Sequence, residues 1–166
     1  SKARRNRRRL QRRFEERAPV VHNSATSGAR AGELADLAIS LKRVWLKDRG
    51  LISNALADPA TRKFFVAVAR ADERPVGAVI SSLETRGEPA AIEIGFDCNG
   101  RRAVHIIVYA LKYERAGVGQ LLIERSIRNC YERGLATFDL LAPGADYKLD
   151  WADGTMEVCD WAIGTT

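Results

Sequence analysis

The chain has 166 residues, a hydrophobic content of 46% and a formal charge of +6. This length allows one domain that buries about two-thirds of its extended surface, and the composition excludes wholesale disorder. Residues 1–17 hold nine basic and two acidic residues, a net +7, so the remaining 149 residues sum to −1. The basic excess is therefore one local feature and does not indicate a basic surface across the fold.

The first half of the chain predicts helices separated by a connector. Ala3, Leu10 and Phe14 fall near one side of a helix over residues 2–17, whose other sides carry arginines. Residues 18–32 are rich in small and turn-forming types and predict a connector. Apolar side chains then recur at three- and four-residue spacing, which predicts a helix over 33–49 that packs on a sheet.

A further helix over 61–71 is predicted from its start signal. Asp58 is a favourable N-cap residue, and Pro59 suits the first helical position because its missing N–H would have no partner there. The sequence FFVAVA within this segment also suits a strand, and the cap decides in favour of a helix.

Three strands follow, over residues 75–84, 90–98 and 101–112. Asn99-Gly100 joins the last two as a two-residue hairpin, because a type I′ turn needs positive φ at both central positions. The implied register pairs Glu93 with Ile106 and surrounds it with Val104, Ile106 and Val108. Both faces of the hairpin are largely apolar, so we expect it to lie at the centre of a sheet covered on both sides.

The last part of the chain predicts a loop over 113–119, a helix ending near residue 133, and strands over 137–141 and 156–161. Gly117 and Gly119 lie in the loop that joins a buried strand to this helix. Free backbone N–H groups and the helix dipole would favour a bound pyrophosphate there. Alternatively, the two glycines simply allow a tight strand-to-helix turn.

The segment from Glu114 to Gly119 (ERAGVG) resembles the acetyl-CoA motif of the GNAT superfamily, Q/R-x-x-G-x-G/A, with Glu114 where the family has Gln or Arg. The resemblance implies an α/β GNAT-type fold, in which helices flank a central and mostly antiparallel sheet. It also implies N-acyl transfer with acetyl-CoA or another acyl-CoA as co-substrate and without a metal. The residues implied to bind this co-substrate are Arg115, Ala116, Gly117, Val118, Gly119 and Gln120.

The stretches AAIEIGFDCNGRRAVHIIVYALKYERAGVG and ATFDLLAPGADYKLDWADG are similar to CelD/BcsL-type acetyltransferase-like proteins, which are linked to bacterial cellulose and exopolysaccharide synthesis. Such proteins have two GNAT-like halves. The resemblance implies that residues 18–166 are the C-terminal half, that residues 1–17 are a basic connector, and that the acceptor is a small molecule or a sugar amine. Tyr147-Lys148 resembles a short element of the Fem-type aminoacyl transferases, which share the two-half plan.

Acyl transfer to an amine needs a base, an acid and groups that hold the acceptor. Glu93 is the first candidate base, because desolvation between apolar neighbours would raise its pKa towards neutrality. Tyr113 is the candidate acid, Asp139 the candidate partner of the acceptor amine, and Lys148 the candidate partner of an anionic substrate group. Each of them has an ordinary structural alternative: packing, an ion pair or solvation. His105 is expected to be a hydrogen-bonded core residue.

Two other classes of function fit the sequence. The chain could be a non-catalytic half-domain that docks within a polysaccharide-synthesis assembly, or residues 1–17 could bind nucleic acid or anionic lipid. The second alternative is disfavoured because Phe14 is the one aromatic residue of that segment and no nucleic-acid motif follows.

Neither a membrane span nor a secretory signal is visible, since the longest apolar stretch, residues 103–111, is far shorter than the roughly 20 residues a span needs. The three cysteines form no CxxC pair and suggest buried thiols in a reducing compartment, hence a cytoplasmic protein. Because the chain begins at Ser1, we expect it to be a piece of a longer protein.

Overall fold

The computed structural model describes residues 2–16, 18–25, 27–72 and 77–159. Six α-helices, five strands and one 3₁₀ helix lie within these ranges. In chain order they are α1 Lys2–Glu15, β1 Val20–Ala25, α2 Gly28–Asp48, α3 Asn54–Ala57, α4 Pro59–Arg70, β2 Gly77–Thr85, β3 Glu88–Cys98, β4 Arg101–Tyr109, the 3₁₀ helix Leu111–Ala116, α5 Val118–Glu132, β5 Thr137–Asp139 and α6 Asp146–Leu149.

The five strands form one sheet in the order β1-β2-β3-β4-β5. The first four are antiparallel to their neighbours, and β5 runs parallel to β4. Helices α2 and α4 cover one face, where Leu34 and Ile39 of α2 pack with Ile80, Ile92 and Ile94 of the sheet. The predicted α/β architecture, with a mostly antiparallel sheet flanked by helices, is confirmed.

The opposite face of the sheet is covered by α5 and α1. Leu121 and Leu122 of α5 form a buried cluster with Leu83, Ala91 and Phe14, and Phe14 belongs to α1. Only 4% of Phe14 is exposed, because its ring packs edge-on against Tyr113 with the centroids 5.5 Å apart. The basic helix is therefore anchored in the core of the domain through Phe14.

The predicted connector over 18–32 is wrong in part. It contains the edge strand β1, and α2 begins at Gly28 rather than at residue 33. The sequence VVHNSA has no clean alternation of apolar and polar residues, so only its pairing with β2 defines it as a strand. The short helix α3 was also not predicted.

Other element boundaries are closer to expectation. Asp58 caps α4 as predicted, and its carboxylate accepts a hydrogen bond of 2.8 Å from the Ala60 N–H. Strand β5 ends at Asp139, before the predicted residue 141, and Leu141 has a left-handed φ of 57°. Residues 156–159 form no strand, and the rest of that predicted strand, like part of 75–84, lies outside the described residues.

The hairpin register is correct near the turn and wrong beyond it. Gly95 pairs with Val104 as predicted, but a bulge follows, so that Ile94 pairs with Ile106 and Glu93 with Ile107. The extra residue, His105, leaves Ile106 on the α2 face of the sheet with Ile94. The neighbours predicted for Glu93 are therefore wrong for Ile106 and Val108, because an inserted residue reverses the alternation of faces.

The three cysteines, all expected to be buried, differ in exposure. Cys130 is buried, whereas Cys98 and Cys159 are exposed, so the expectation of buried thiols holds for one of the three. Among the described residues, no helix combines the length and apolar character that crossing a membrane requires. The same residues contain no group of three or more His, Cys, Asp or Glu side chains placed to hold a metal ion.

Candidate active site at the open edge of β4

Strands β4 and β5 separate soon after they meet. β5 pairs only with the stretch from Arg101 to Ala103, while β4 continues to Tyr109. Beyond Ala103, β4 has no strand neighbour on this side within the part of the chain that the structure describes. The bulge at His105 lies where the pairing stops. The result is an open strand edge whose backbone N–H and C=O groups are free to bind an extended ligand.

This open edge leads into the start of α5. The 3₁₀ helix ends at Ala116, and the left-handed φ of 67° at Gly117 turns the chain into α5. The N–H groups of Val118, Gly119 and Gln120 lie in the first turn of α5 and so have no intrahelical partner, and Gly117 has no side chain that could cap them. With the helix dipole, these donors form a site suited to a phosphate. Arg115 and Gln120 are exposed beside it.

Both glycines of the loop are also needed for packing within the chain. A Cβ on Gly117 would lie 2.9 Å from Cδ1 of Leu10 in α1, and a Cβ on Gly119 would lie 3.3 Å from Cδ1 of Tyr109. The sequence offered a tight turn as the alternative to phosphate binding; the left-handed φ of Gly117 provides such a turn, and neither it nor the close packing excludes a bound phosphate. The contact also places α1 directly against the loop.

Glu114, which departs from the family motif, is held by partners outside the loop. Its carboxylate forms an ion pair with Arg49, at the C-terminal end of α2. Oε1 also accepts a hydrogen bond of 3.2 Å from the Tyr109 hydroxyl. The Tyr109 hydroxyl in turn accepts a hydrogen bond of 3.2 Å from the indole N–H of Trp45. The negative charge of Glu114 is thus partly neutralised, and its contacts connect the loop to α2.

Two cations lie over the ring of Trp45. Cζ of Arg49 is 4.1 Å from the ring centroid, and Nζ of Lys42 is 4.4 Å from it. Burial lowers the pKa of Lys42, and the positive charges of Lys148 and Arg49 lower it further. Lys148 belongs to α6, which follows β5. The Trp45 ring and its two cations lie beside the end of β4, where the Tyr109 hydroxyl accepts the indole N–H.

Glu93, the predicted base, is fully buried between the sheet and α5. Burial raises its pKa to about 7, against the smaller opposing effects of the Ser126 hydroxyl and the Arg102 guanidinium. The Ser126 hydroxyl lies beside the carboxyl group without the geometry of a hydrogen bond. The pKa of Glu93 is raised towards neutrality, as predicted for a base. The burial that raises it comes from packing between the sheet and α5, and not from Ile106 and Val108.

The charge of Arg102 is largely engaged by another carboxylate. Its Nε and Nη2 donate to the two oxygens of Asp97 at 2.7 and 2.9 Å, and Arg133 donates to Asp97 at 2.7 Å. The nearest approach of Arg102 to Glu93 is 3.9 Å, from Nη1 to Oε1. Glu93 therefore receives little compensation for a negative charge, because the strong bidentate pair is made with Asp97.

Tyr113 and Asp139 already have partners within the chain. The Tyr113 ring packs against Phe14, and the Lys112 ammonium lies 5.1 Å from its centroid. Asp139 forms an ion pair with Arg101 and accepts a hydrogen bond of 2.7 Å from the Leu141 N–H. The sequence offered packing and an ion pair as ordinary structural alternatives, and the contacts of Tyr113 and Asp139 are of these two kinds. Their roles as acid and as partner of the acceptor amine stay predictions.

Lys148 and His105 both lie near the separation of β4 and β5. Lys148 donates two hydrogen bonds of 2.9 Å, to the carbonyls of Leu141 and Pro143, and so holds the loop after β5. His105 is exposed rather than in the core, with its ring 5.1 Å from that of Phe96 between centroids. Partial burial lowers its pKa. The expectation for His105 is wrong because the bulge moves it out of the sheet interior.

Sequence reasoning missed the contribution of α2 to this site. Lys42, Trp45 and Arg49 are spaced three and four residues apart, so they share one side of the helix. This spacing is visible in the sequence, but Trp45 also continues the apolar spacing that predicts packing of this helix on the sheet. The role of Tyr109 had no such signal, because it depends on the approach of α2 to the end of β4.

Comparisons with known proteins agree on the fold. The possible acetyltransferase from Clostridium difficile 630 has a TM-score of 0.63 at 10% identity, over 88% of this chain and 99% of its own. An aminoglycoside acetyltransferase, meta-AAC0020 from an uncultured soil metagenomic sample, has a TM-score of 0.57 at 11% identity, over 89% and 97%. The ribosomal-protein-alanine N-acetyltransferase from Brucella melitensis biovar Abortus 2308 has a TM-score of 0.55 at 18% identity, over 89% of this chain and 99% of its own.

The search of curated proteins gave no match. A family model described as an acetyltransferase (GNAT) domain matches residues 1–149. The match includes the basic helix α1, the open edge of β4 and the loop before α5, and ends at the last residue of α6. The chain therefore belongs to the GNAT acetyltransferase-domain family.

Proposed function

We propose that this domain transfers an acetyl group from acetyl-CoA to the amine of a small or sugar-like acceptor at the open edge of β4. The observation that carries the proposal is the continuity of this edge with the uncapped start of α5. An extended ligand along β4 would place its pyrophosphate on the N–H groups of Val118, Gly119 and Gln120. Acetyl-CoA supplies the thioester, whose C–S bond breaks as the amine nitrogen bonds to the carbonyl carbon.

The acceptor amine must lose a proton, and the departing thiolate must gain one. His105 is the best-placed base in this proposal, because its exposed imidazole lies at the bulge where β4 becomes free. Its lowered pKa keeps the ring neutral, and therefore able to accept a proton, at pH 7. Glu93 has a suitable pKa, but its side chain is fully buried on the α5 side. Tyr113 and Asp139 remain candidates as acid and as amine partner.

Acetyl-CoA binding is tested by calorimetry with a pair of opposite charge changes at Gln120, an exposed residue in the first turn of α5. Gln120→Glu should weaken binding about three- to tenfold, because its charge repels the phosphates. The same change should slightly stabilise the helix through its dipole. Gln120→Lys should strengthen binding while slightly destabilising the helix. Equal affinities for both variants, or no binding by the wild-type protein, would contradict the proposed site.

The finer assignment is a CelD/BcsL-type protein that acts in cellulose or exopolysaccharide synthesis. It is supported by the similarity of the β3–β4 hairpin, the loop and the segment around Tyr147-Lys148. The same resemblance supports an N-terminal GNAT-like half in the parent protein, with residues 1–17 as connector. A cytoplasmic location is proposed from the three cysteines, which form no CxxC pair and are all free thiols. Acetylation of amino sugars by the longer parent protein, and its co-purification with a polysaccharide synthase, are the corresponding measurements. A parent that acetylates no amino sugar would contradict this assignment.

A further inference from the structure

The imidazole ring of His105 is contacted by two phenylalanine rings. Its centroid lies 5.1 Å from that of Phe96 and 6.4 Å from that of Phe65, and both contacts are edge-on. The rings of Phe65 and Phe96 also contact each other, with their centroids 6.3 Å apart. The three rings therefore form one aromatic cluster, in which each ring contacts the other two.

The bulge in β4 brings His105 to this cluster. His105 is the extra residue on β4 at the bulge, and bulges often redirect a side chain next to a binding site. Phe96 lies directly opposite Ala103 on β4, whose methyl group leaves one flank of the phenylalanine ring open to His105. Phe65 and Phe96 both pack on the buried core between α2 and the sheet. The imidazole therefore lies against a surface that the core holds in place.

The orientation of His105 is not set by a polar partner. A histidine that takes up protons is often oriented by a carboxylate or a backbone carbonyl, which accepts a hydrogen bond from its second ring nitrogen. Within the residues that the structure describes, His105 makes no such hydrogen bond. Aromatic packing is therefore the contact that orients this ring.

Charged neighbours do not account for the lowered pKa of His105 either. The charged residues closest to the cluster in sequence or in strand pairing are Arg101 and Arg102 of β4, Asp97 of β3, Asp139 of β5, and Arg62 and Lys63 of α4. All of them except Lys63 are in ion pairs with one another or with Asp36. Burial is the one cause of the lowered pKa, and the two phenylalanine rings are the aromatic groups that bury the imidazole.

We propose that Phe96 and Phe65 are positioning residues, which hold the His105 imidazole in the orientation that accepts a proton from the acceptor amine. The proposal rests on the proposed function and deepens it, because it says how an otherwise exposed base is held ready. The proton passes from the amine nitrogen to an unprotonated ring nitrogen of His105 as the amine bonds to the carbonyl carbon. Neither phenylalanine touches the reacting atoms. Their rings keep water from one side of the imidazole, which favours its neutral form, and restrict its rotation.

The first test needs no turnover. The full chain is labelled with ¹⁵N-histidine, and the pKa of His105 is measured by NMR titration. The chain has two histidines, so the signal that disappears in His105→Gln is that of His105. Phe96→Leu and Phe65→Leu should each raise the pKa of His105 towards its ordinary value of 6.5, because the smaller side chain admits water to the imidazole.

Phe64→Leu is the matched control for these variants. The Phe64 ring contacts that of Phe65, and its removal should leave the pKa of His105 unchanged. An unchanged pKa of His105 in both Phe96→Leu and Phe65→Leu would overturn the inference. A lower pKa in these variants would also overturn it, because it would mean that the rings favour the protonated imidazole through a cation–π contact.

The second test compares the variants in acetyl transfer to glucosamine by the full chain. Phe96→Leu should lower kcat about tenfold through misplacement of the base, and leave KM for acetyl-CoA unchanged. The acid limb of its kcat/KM profile should move to higher pH, in step with the pKa measured by NMR. Phe96→Tyr keeps an aromatic ring and should retain most of the wild-type kcat and the wild-type acid limb.

A loss of kcat in Phe96→Leu without movement of the acid limb would show that Phe96 is merely structural, and would overturn the inference. Absence of acetyl-CoA binding in the wild type would instead contradict the proposed function, while the NMR result on His105 would stand.

Discussion

Glu93→Gln should make the protein more stable at neutral and alkaline pH. Glu93 is fully buried, and its pKa rises from 4.5 to about 7 on folding, mainly through burial. Below pH 4.5 the carboxyl group is protonated in both the folded and the unfolded chain, so it contributes no pH dependence. Between pH 4.5 and 7 the unfolded chain loses the proton first, and the free energy of unfolding falls as the pH rises.

The magnitude follows from the change in pKa. At about 1.4 kcal/mol for each pH unit, a rise from 4.5 to about 7 corresponds to about 3 kcal/mol, reached above pH 7. The amide that replaces the carboxyl group would keep the shape of the side chain and could not ionise. The variant should therefore match the wild type near pH 4.5 and exceed its free energy of unfolding by up to about 3 kcal/mol near pH 8.

Urea denaturation between pH 4.5 and 8 measures this difference. Glu132→Gln, a change of an exposed carboxylate at the end of α5, is the matched control and should leave the pH dependence of the wild type intact. A difference between wild type and Glu93→Gln that stays constant over this pH range would refute the reasoning. So would a variant that is less stable at pH 8, because it would mean that ionised Glu93 makes a favourable pair with Arg102.

Three further predictions concern α1, α4 and the candidate base. Phe14→Ala should lower the free energy of unfolding by about 3 kcal/mol, because the ring is buried. Phe64→Ala changes a side chain that is 54% exposed and should lower the free energy of unfolding far less. Equal losses in the two variants would mean that α1 does not belong to the core. Asp58→Ala should cost about 1 kcal/mol through loss of the α4 cap, also by urea denaturation. If His105 is the base, kcat/KM should fall at acid pH, as the imidazole becomes protonated below its lowered pKa. His105→Gln should remove this fall. A variant that retains it would exclude His105 as the base.

Several elements of the site could be predicted from local sequence. The uncapped turn at Gly117 and the Asn99-Gly100 hairpin are each set by residues adjacent in the chain, where conformational preference acts directly. The α4 cap at Asp58 is of the same kind. The α/β fold was predictable as well, because apolar periodicity distinguishes the covering helices from the central strands.

The residues of the site that sequence reasoning missed or misplaced depend on contacts across the fold. The bulge at His105 is a property of pairing between two strands, and it moved Ile106 and Val108 to the face of the sheet opposite Glu93. Nothing near Trp45 in the chain indicates Tyr109, because the indole and the hydroxyl meet only where α2 packs beside the end of β4.

By itself, the sequence determined the longer helices and the central hairpin, where the glycine loop lies, and that the positive charge is concentrated before residue 18. It did not determine β1, α3 or the absence of a strand over 156–159. The tertiary structure decided that Phe14 attaches this basic helix to the core and that β4 separates from β5 after Ala103. The physical reason is the range of the forces involved. Backbone preferences and caps act within a few residues, whereas burial, strand pairing and the pKa of Glu93 depend on neighbours that are distant in the chain.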